Sequence, residues 1–282
     1  MAIKHIFVVG AGTMGSGITQ TAAVSGYQVT MMDVAEDFVK RGQASIAKSV
    51  EKLAEKGKLT AEQKAAALAI AATTDLKAAA GADLVIEAAT ENPELKFKLF
   101  KDLDDLARPE AILASNTSSI SITKLAAATK RPGQVIGMHF FNPVPLMSLL
   151  EVVRGKETSE ETLATALEVG KQMGKTPVIV KDSPGFVANR VLMPMINEAI
   201  LALDEGVADA EGIDTVMKLG MAHPMGPLAL ADLIGLDVVL YIIEVLYRDF
   251  GDNKYKPAEL LRRMVTEGKL GRKSGQGFYE YR

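Results

Sequence analysis

The sequence predicts an α/β protein in which a doubly wound, mostly parallel sheet is followed by a second domain built only of helices. Up to Lys181, short uncharged β-branched runs alternate with helix-favouring segments. Several of these runs end in a polar cluster, as strands do where they lead into a ligand-binding edge. From about residue 185 to the end, the pattern is helical throughout.

The first strand, helix and connecting turn contain a phosphate-binding fingerprint. Residues 6–9 form a short apolar run that suits a strand covered on both faces. Residues 10–15, GAGTMG, spell G-x-G-x-x-G and lead into a helix whose first N–H groups are free to bind phosphate. Gly10 permits the tight turn, Gly12 lets the backbone approach a pyrophosphate, and Gly15 lets the helix pack closely on the strand.

An acid follows the second strand at the distance that this fingerprint requires. Residues 27–32 form the strand, and Asp33 lies 33 − 12 = 21 residues after Gly12, where a carboxylate holds the adenine-ribose hydroxyls. A glycine turn in an ordinary βαβ unit is the alternative, but strand, helix and acid together favour a Rossmann-type dinucleotide site. A carboxylate about 4 Å from a 2′-phosphate costs on the order of 4 kcal/mol, so we expect NAD rather than NADP.

Composition excludes several classes of function. The 282 residues carry a net charge of −3, which gives no reason to expect nucleic acid as a partner. The chain has no cysteine and therefore no disulfide or thiolate chemistry. No apolar window reaches the ~18 residues of a membrane span, and no spacing typical of metal ligands occurs. We expect a cytoplasmic protein without a metal site.

A helical excursion interrupts the strand pattern over about residues 38–80. Within it, Lys48, Lys52 and Lys56 recur every four residues and therefore share one helix face. Periodicity alone favours a solvated surface stripe, while the alternative is a basic strip for a phosphate-rich substrate.

Polar clusters follow three further strands, at residues 83–89, 111–114 and 135–138. The carboxyl ends of parallel strands meet at one edge of the sheet, which is where such folds bind ligands. We therefore expect several polar side chains to converge there with the glycine loop and Asp33, and these are Glu91, Asn116, Ser118 and His139.

Glu151 is the only acid in the apolar run 149–153, and an unpaired buried carboxylate is costly, so it needs a partner. His139, a lone ionisable group in an apolar strand, is the nearest candidate. Separately, each residue would more often be structural; together they fit a general base and the carboxylate that orients it. The other histidines fit less well, since His5 opens the first strand and His223 lies in a proline-rich turn.

The strand at residues 177–181 ends the first domain, so we place the boundary between domains of residues 1–184 and 185–282. Ser183 and Pro184 resemble the N-cap and first position of a helix. The predicted helices span about 185–203, with a kink at Pro194, and 210–219, 227–247 and 257–267.

Two features of the helical domain bear on function. Asn189 lies in the opening turns of the first helix, where it reaches toward the cleft or serves as a surface amide. Residues 228–246 are apolar on several sides, more than a domain of ~100 residues covers, which predicts a homodimer through this domain.

Six separated motifs resemble the short-chain L-3-hydroxyacyl-CoA dehydrogenases, in the family's order and with suitable spacing. They are GAGTMG (10–15), SNTSS (115–119), HFFNPVP (139–145), LEVV (150–153), DSPGFVANR (182–190) and GRKSGQGFY (271–279). The resemblance covers the whole chain. It implies NAD-linked interconversion of short-chain (S)-3-hydroxyacyl-CoA, such as 3-hydroxybutyryl-CoA, and 3-ketoacyl-CoA, in fatty-acid or butanoate metabolism.

The resemblance also implies roles for individual residues. His139 is the general base and Glu151 its partner, while Ser118 and Asn189 hydrogen-bond the substrate. The expected cofactor contacts are Gly10, Gly12, Thr13, Met14, Gly15, Asp33, Glu91, Lys96, Asn116, Ser118, Asn142 and Lys273. The expected CoA contacts are Ser49, Lys52 and Lys56, which makes the basic strip the favoured interpretation of the lysine face.

Two alternatives remain at this point. One is a related two-domain dehydrogenase that acts on a hydroxy acid without CoA. The other is an NAD-binding protein without catalysis, against which the intact set His139, Glu151, Ser118 and Asn189 counts.

Overall fold

The computed structural model describes residues 2–281, and the chain divides between Asp182 and Ser183 into two units. The first unit contains an eight-stranded sheet of order β3-β2-β1-β4-β5-β6-β7-β8, parallel throughout except where β6 meets β7. Its strands are β1 (His5–Val9), β2 (Gln28–Met32), β3 (Ala71–Thr73), β4 (Leu84–Glu87), β5 (Ile112–Ser115), β6 (Val135–Phe140), β7 (Leu149–Arg154) and β8 (Thr176–Lys181).

The central strands β4, β5 and β6 are buried along their whole length, as expected for strands covered on both faces. The covering helices of this unit are α1 (Thr13–Val24), α2 (Glu36–Glu55), α3 (Ala61–Leu68), α4 (Pro93–Leu106), α5 (Ile122–Ala127) and α6 (Glu160–Gln172). The predicted Rossmann-type architecture is confirmed.

The helical excursion contains a strand that the sequence did not predict. α2 and α3 are helical as expected, but Ala71–Thr73 pairs in parallel with residues 30–32 of β2 and forms the edge of the sheet. The prediction of helix through residue 80 is therefore wrong at β3. Alanine favours helices in isolation, but the open edge of β2 offers these residues a backbone ladder, and that tertiary pairing overrides propensity.

The second unit is all helical, and two of its helix boundaries differ from the prediction. α7 (Ala188–Asp204) begins after Gly185 and Phe186, whose φ angles of 72° and 52° are left-handed and cannot continue a helix. Ser183 is consequently not an N-cap. Gly235, with φ of 102°, splits the predicted helix 227–247 into two. The remaining helices are α8 (Ala210–Gly220), α9 (Pro227–Ile234), α10 (Leu236–Phe250) and α11 (Glu259–Thr266).

Two buried acids tie the second unit together. The carboxylate of Asp214 accepts hydrogen bonds from the N–H groups of Leu228 and Ala229, each at 2.9 Å, and so caps α9. Gly226, the residue at the N-cap position, has no room for a side chain because a Cβ there would lie 2.2 Å from that carboxyl carbon. Asp232 accepts hydrogen bonds from the N–H groups of Phe278 and Tyr279, which fixes the C-terminal segment on α9.

Among the helices of residues 2–281, none is long and apolar enough to cross a membrane.

Candidate active site

The turn between β1 and α1 contains three glycines. Close packing excludes a side chain at two of them, and the third borders open space. A Cβ on Gly10 would lie 2.5 Å from the carbonyl oxygen of Ala88, and one on Gly15 would lie 1.9 Å from that of Gly10. Beside Gly12, in contrast, a Cβ would meet nothing within 4 Å, so its backbone is open to an approaching group. Thr13 and Met14 begin α1, whose first N–H groups provide the positive end of the helix dipole.

Asp33 follows β2 beside this turn. Its Oδ2 accepts a hydrogen bond from the N–H of Ala11 at 2.7 Å, and its Oδ1 accepts one from the N–H of Val34 at 2.7 Å. The turn and Asp33 line one cavity of about 750 Å³, together with Phe38 and Arg41 of α2 and residues of α4. An open glycine backbone, a helix N-terminus and a fixed carboxylate around one cavity fit a dinucleotide.

Beneath this cavity, Lys96 joins two acids. Its Nζ lies 2.5 Å from Oε1 of Glu87, 3.2 Å from Oε2 of Glu91 and 3.2 Å from the carbonyl oxygen of Ala89. The side chains of Glu87 and Lys96 are 0% and 1% exposed. The ammonium of Lys96 is therefore enclosed by oxygens of its own chain, and it acts on the site through Glu91 and the segment after β4.

Glu91 in turn holds the polar loop after β5. Its Oε1 accepts hydrogen bonds from the hydroxyl of Thr117 at 2.5 Å, the N–H of Ser118 at 3.0 Å and the hydroxyl of Ser119 at 2.9 Å. Burial raises the pKa of Glu91, but Lys96 and these hydrogen bonds outweigh burial and keep that pKa below its ordinary value. Glu91 is thus a carboxylate that fixes the backbone of Ser118.

Asn116 links the same loop to the next strand. Its Oδ1 accepts a hydrogen bond from the N–H of Phe140 at 2.9 Å. The side-chain oxygen of Asn116, a predicted cofactor contact, is thus hydrogen-bonded within the protein, next to His139. The loop after β5 is fixed on one side by Glu91 and on the other by β6.

His139 and Glu151 face each other across the antiparallel pair β6–β7. The imidazole Nδ1 of His139 lies 2.8 Å from Oε2 of Glu151, and the two residues are 8% and 2% exposed. Their predicted pairing is confirmed. Because the carboxylate of Glu151 accepts a hydrogen bond, we assign the proton of the neutral imidazole to Nδ1, and Nε2 is then an acceptor. The ring of Phe141 packs against the imidazole with 4.6 Å between centroids.

The connection from β6 to β7 carries Asn142, which is exposed and precedes a cis peptide bond to Pro143. A buried lysine anchors this connection. The Nζ of Lys175 donates to the carbonyl oxygens of Val144 at 2.5 Å and Met147 at 2.8 Å. Burial lowers the pKa of Lys175.

The lysine face predicted from periodicity lies on α2 and the residue that ends it. Lys48, Lys52 and Lys56 are exposed, and Ser49 between them is half-buried. Their role in binding remains a prediction.

Two predicted site residues belong to the second unit. Asn189 lies in the first turn of α7 and is buried. Lys273 is half-exposed, and its Nζ lies 2.5 Å from a carboxylate oxygen of Asp237.

Sequence reasoning missed the residues that hold the predicted ones in place. Glu87, Ser115, Thr117 and Lys175 make these contacts. The sequence contained a signal for Glu87, because it is an acid at the end of an apolar strand. The same kind of signal singled out Glu151. Among residues 2–281, no group of three or more His, Asp or Glu side chains is arranged to hold a metal ion.

Comparison with known proteins identifies the family. Residues 5–183 match the NAD-binding domain of 3-hydroxyacyl-CoA dehydrogenases, and residues 185–281 match their C-terminal domain. The 3-hydroxybutyryl-CoA dehydrogenase of Clostridioides difficile is 51% identical, over 97% of this chain and 98% of that protein. The human mitochondrial hydroxyacyl-coenzyme A dehydrogenase is 42% identical, over 99% and 92%.

A solved structure gives the same result. The crystal structure of (S)-3-hydroxybutyryl-CoA dehydrogenase from Ralstonia eutropha superposes with a TM-score of 0.97 at 54% identity, covering 100% of both chains. With its glycine turn, its histidine–glutamate pair and full-length matches to both domains, the chain belongs to the 3-hydroxyacyl-CoA dehydrogenase family.

Proposed function

We propose that this protein interconverts (S)-3-hydroxybutyryl-CoA and acetoacetyl-CoA with NAD as the hydride carrier. The observation that carries the proposal is the buried His139–Glu151 pair, positioned at the ligand edge of a sheet that also bears a dinucleotide turn. The names of the full-length relatives from Clostridioides difficile and Ralstonia eutropha support this substrate.

Bound NAD would supply the hydride acceptor for C3 of the hydroxyacyl group, and bound NADH the hydride donor for the reverse direction. The turn of residues 10–15 and Asp33 would hold it, and the resemblance adds Glu91, Ser118, Asn142 and Lys273 as proposed contacts. Lys96, whose ammonium is enclosed by the protein, is proposed to act on the cofactor through Glu91. A carboxylate at residue 33 repels a 2′-phosphate, which favours NAD over NADP.

His139 moves the proton. Its Nε2 takes the proton of the substrate 3-hydroxyl during oxidation and gives it back to the 3-keto oxygen during reduction. Glu151 holds the imidazole in the required tautomer and stabilises the imidazolium that forms. A positioned imidazole of this kind contributes about 10²–10⁴ in rate.

Ser118 and Asn189 are proposed to hydrogen-bond the substrate oxygens. Glu91 positions this residue before substrate arrives, because its Oε1 accepts the N–H of Ser118 at 3.0 Å and lies 3.5 Å from the Ser118 hydroxyl. Ser49, Lys52 and Lys56 are proposed to contact the phosphate groups of CoA, because exposed ammonium groups on one helix face favour a polyanionic ligand.

The direct test is NADH oxidation with acetoacetyl-CoA, run beside reactions with NADPH and with free acetoacetate. We expect rapid turnover only with NADH and the CoA thioester. Equal rates with free acetoacetate would exclude the CoA proposal, and NADH binding without any turnover would leave a non-catalytic NAD-binding protein.

The same assay tests the proton carrier in a His139→Gln variant. We expect kcat to fall by about 10²–10⁴ because no group replaces the imidazole as acid or base, while the Kd for NADH is unchanged. His5→Gln is the matched control, since His5 lies at the end of β1 that is opposite the glycine turn, where its ring bonds the carbonyl of Gly81. Wild-type turnover in His139→Gln would contradict the assignment.

A charge reversal tests the lysine face. Lys56→Glu should raise the KM for acetoacetyl-CoA at least about tenfold at low salt, and less at high salt, because an exposed attraction becomes a repulsion that ions screen. The KM for NADH should not change. Lys171→Glu, an exposed lysine of α6, is the matched control, and equal effects of the two variants would show that only net charge matters.

We further propose that the protein is cytoplasmic and forms a homodimer through the helical domain. Much of the run 228–246, from which the dimer was predicted, is packed in the core of the helical domain, and Leu233, Val238 and Tyr241 are its exposed large apolar side chains. On α8, Val216 is 60% exposed and Leu219 82% exposed, which also supports the dimer. Sedimentation velocity should show a dimer that Leu219→Glu weakens, and a monomeric wild type would refute it. Fractionation of the source cells should recover the activity with a cytoplasmic marker enzyme, and recovery with another compartment would refute the location.

A further inference from the structure

Three charged side chains lie behind one wall of the dinucleotide cavity. Residues 88–90 line the cavity, and the side chains of Glu87, Lys96 and Glu91 lie behind them. Glu87 binds this segment directly, since its Oε1 accepts a hydrogen bond from the N–H of Ala89 at 2.7 Å. We call Glu87, Lys96 and Glu91 the charge triad.

The charge triad carries a net negative charge. Every group that contacts the carboxylate of Glu87 is a donor, namely the N–H of Ala89, the ammonium of Lys96 and, at 2.6 Å, the hydroxyl of Ser115. The N–H of Ala89 and the ammonium of Lys96 can only donate, so this set of partners fits an ionised carboxylate. Glu91 is ionised as well, because its pKa lies below the ordinary value. Two carboxylates therefore face one ammonium.

The position of the charge triad in the sheet decides which half of the cofactor it faces. In this strand order β1 is flanked by β2, which is followed by Asp33, the proposed ribose contact, and by β4, which ends in Glu87. The two nucleotides of a dinucleotide lie on opposite sides of this switch point. Glu91 also bonds the loop after β5, and this loop reaches Phe140, the neighbour of His139, through Asn116. We therefore assign the charge triad to the nicotinamide side.

We propose that the charge triad sets the preference of this protein for oxidised over reduced cofactor, with Glu87 as the residue that gives it its negative sign. The nicotinamide ring is a cation in NAD⁺ and neutral in NADH. A fixed negative charge in a dry site stabilises the cationic form selectively and is little screened by salt. The inference rests on the proposed use of NAD.

A purely structural role for Glu87 makes a different prediction. If Glu87 only anchored Lys96 and the loop after β5, its loss would weaken both forms of the cofactor alike. A charge effect changes the ratio of the two dissociation constants, whereas loss of shape does not.

The experiment measures the Kd of NAD⁺ by calorimetry and the Kd of NADH by fluorescence, for the wild type and for Glu87→Gln. The amide keeps the size of the side chain and removes its charge. We expect the ratio Kd(NAD⁺)/Kd(NADH) to rise by about tenfold or more, at both low and high salt. An unchanged ratio overturns the proposal.

Three further variants separate charge from structure. Ser115→Ala removes a hydrogen bond of Glu87 but no charge. Asp104→Asn neutralises a buried acid at the other end of α4, whose carboxylate lies 2.6 Å from Arg131. Both should leave the ratio unchanged, and a tenfold rise in either contradicts the charge mechanism. If Glu87→Gln does not fold, Glu91→Gln, whose side chain is 27% exposed in the wild type, should raise the ratio in the same direction.

The proposed function and this inference fail in different ways. If the wild type binds neither NAD⁺ nor NADH, the proposed use of NAD is wrong. If it binds both and Glu87→Gln shifts both affinities equally, NAD use stands and only the role of the charge triad is refuted.

Discussion

The antiparallel pairing of β6 with β7 is the constraint on which the proposed chemistry depends. In a sheet whose other pairs are all parallel, this one reversal sets His139 directly opposite Glu151. A register shift of one residue would turn the carboxylate to the other face of the sheet and leave the imidazole without its partner. Pairing also resolves the cost of burial, because a carboxylate 2% exposed is tolerated only when a donor satisfies it.

The polar loop after β5 is fixed by residues of the neighbouring strands β4 and β6. The end of β4 supplies Glu87, which bonds Ser115 at the end of β5, and the loop after β5 reaches β6 through Asn116. Three adjacent strand ends are thereby connected by hydrogen bonds that side chains make. Such a connected network positions Ser118 and the backbone next to His139 before ligands bind, which is how a site limits the reorganisation that its reaction requires.

The sequence predicted those parts of the structure that depend on the spacing of a motif or on the cost of burying a single side chain. The glycine turn and Asp33 follow from a motif whose spacing has a steric reason, and the pairing of His139 with Glu151 follows from the cost of unpaired burial. The edge strand β3 could not be predicted, because its alanines gain their ladder only from a distant strand. The later start of α7 depends on the left-handed Phe186, a conformation that its residue type does not suggest. Glu87 has partners up to 28 residues away, so its role emerges only from the fold.

The tautomer of His139 tests the central claim most directly. The chain has three histidines, so nitrogen NMR of protein labelled at the imidazole nitrogens gives three sets of ring signals, which His139→Gln assigns. If Glu151 sets the tautomer, neutral His139 carries its proton on Nδ1, with Nε2 unprotonated. In Glu151→Gln we then expect the proton to distribute over both nitrogens. A proton found on Nε2 of the neutral ring in the wild type would contradict the account, because that nitrogen could then not accept the substrate's proton.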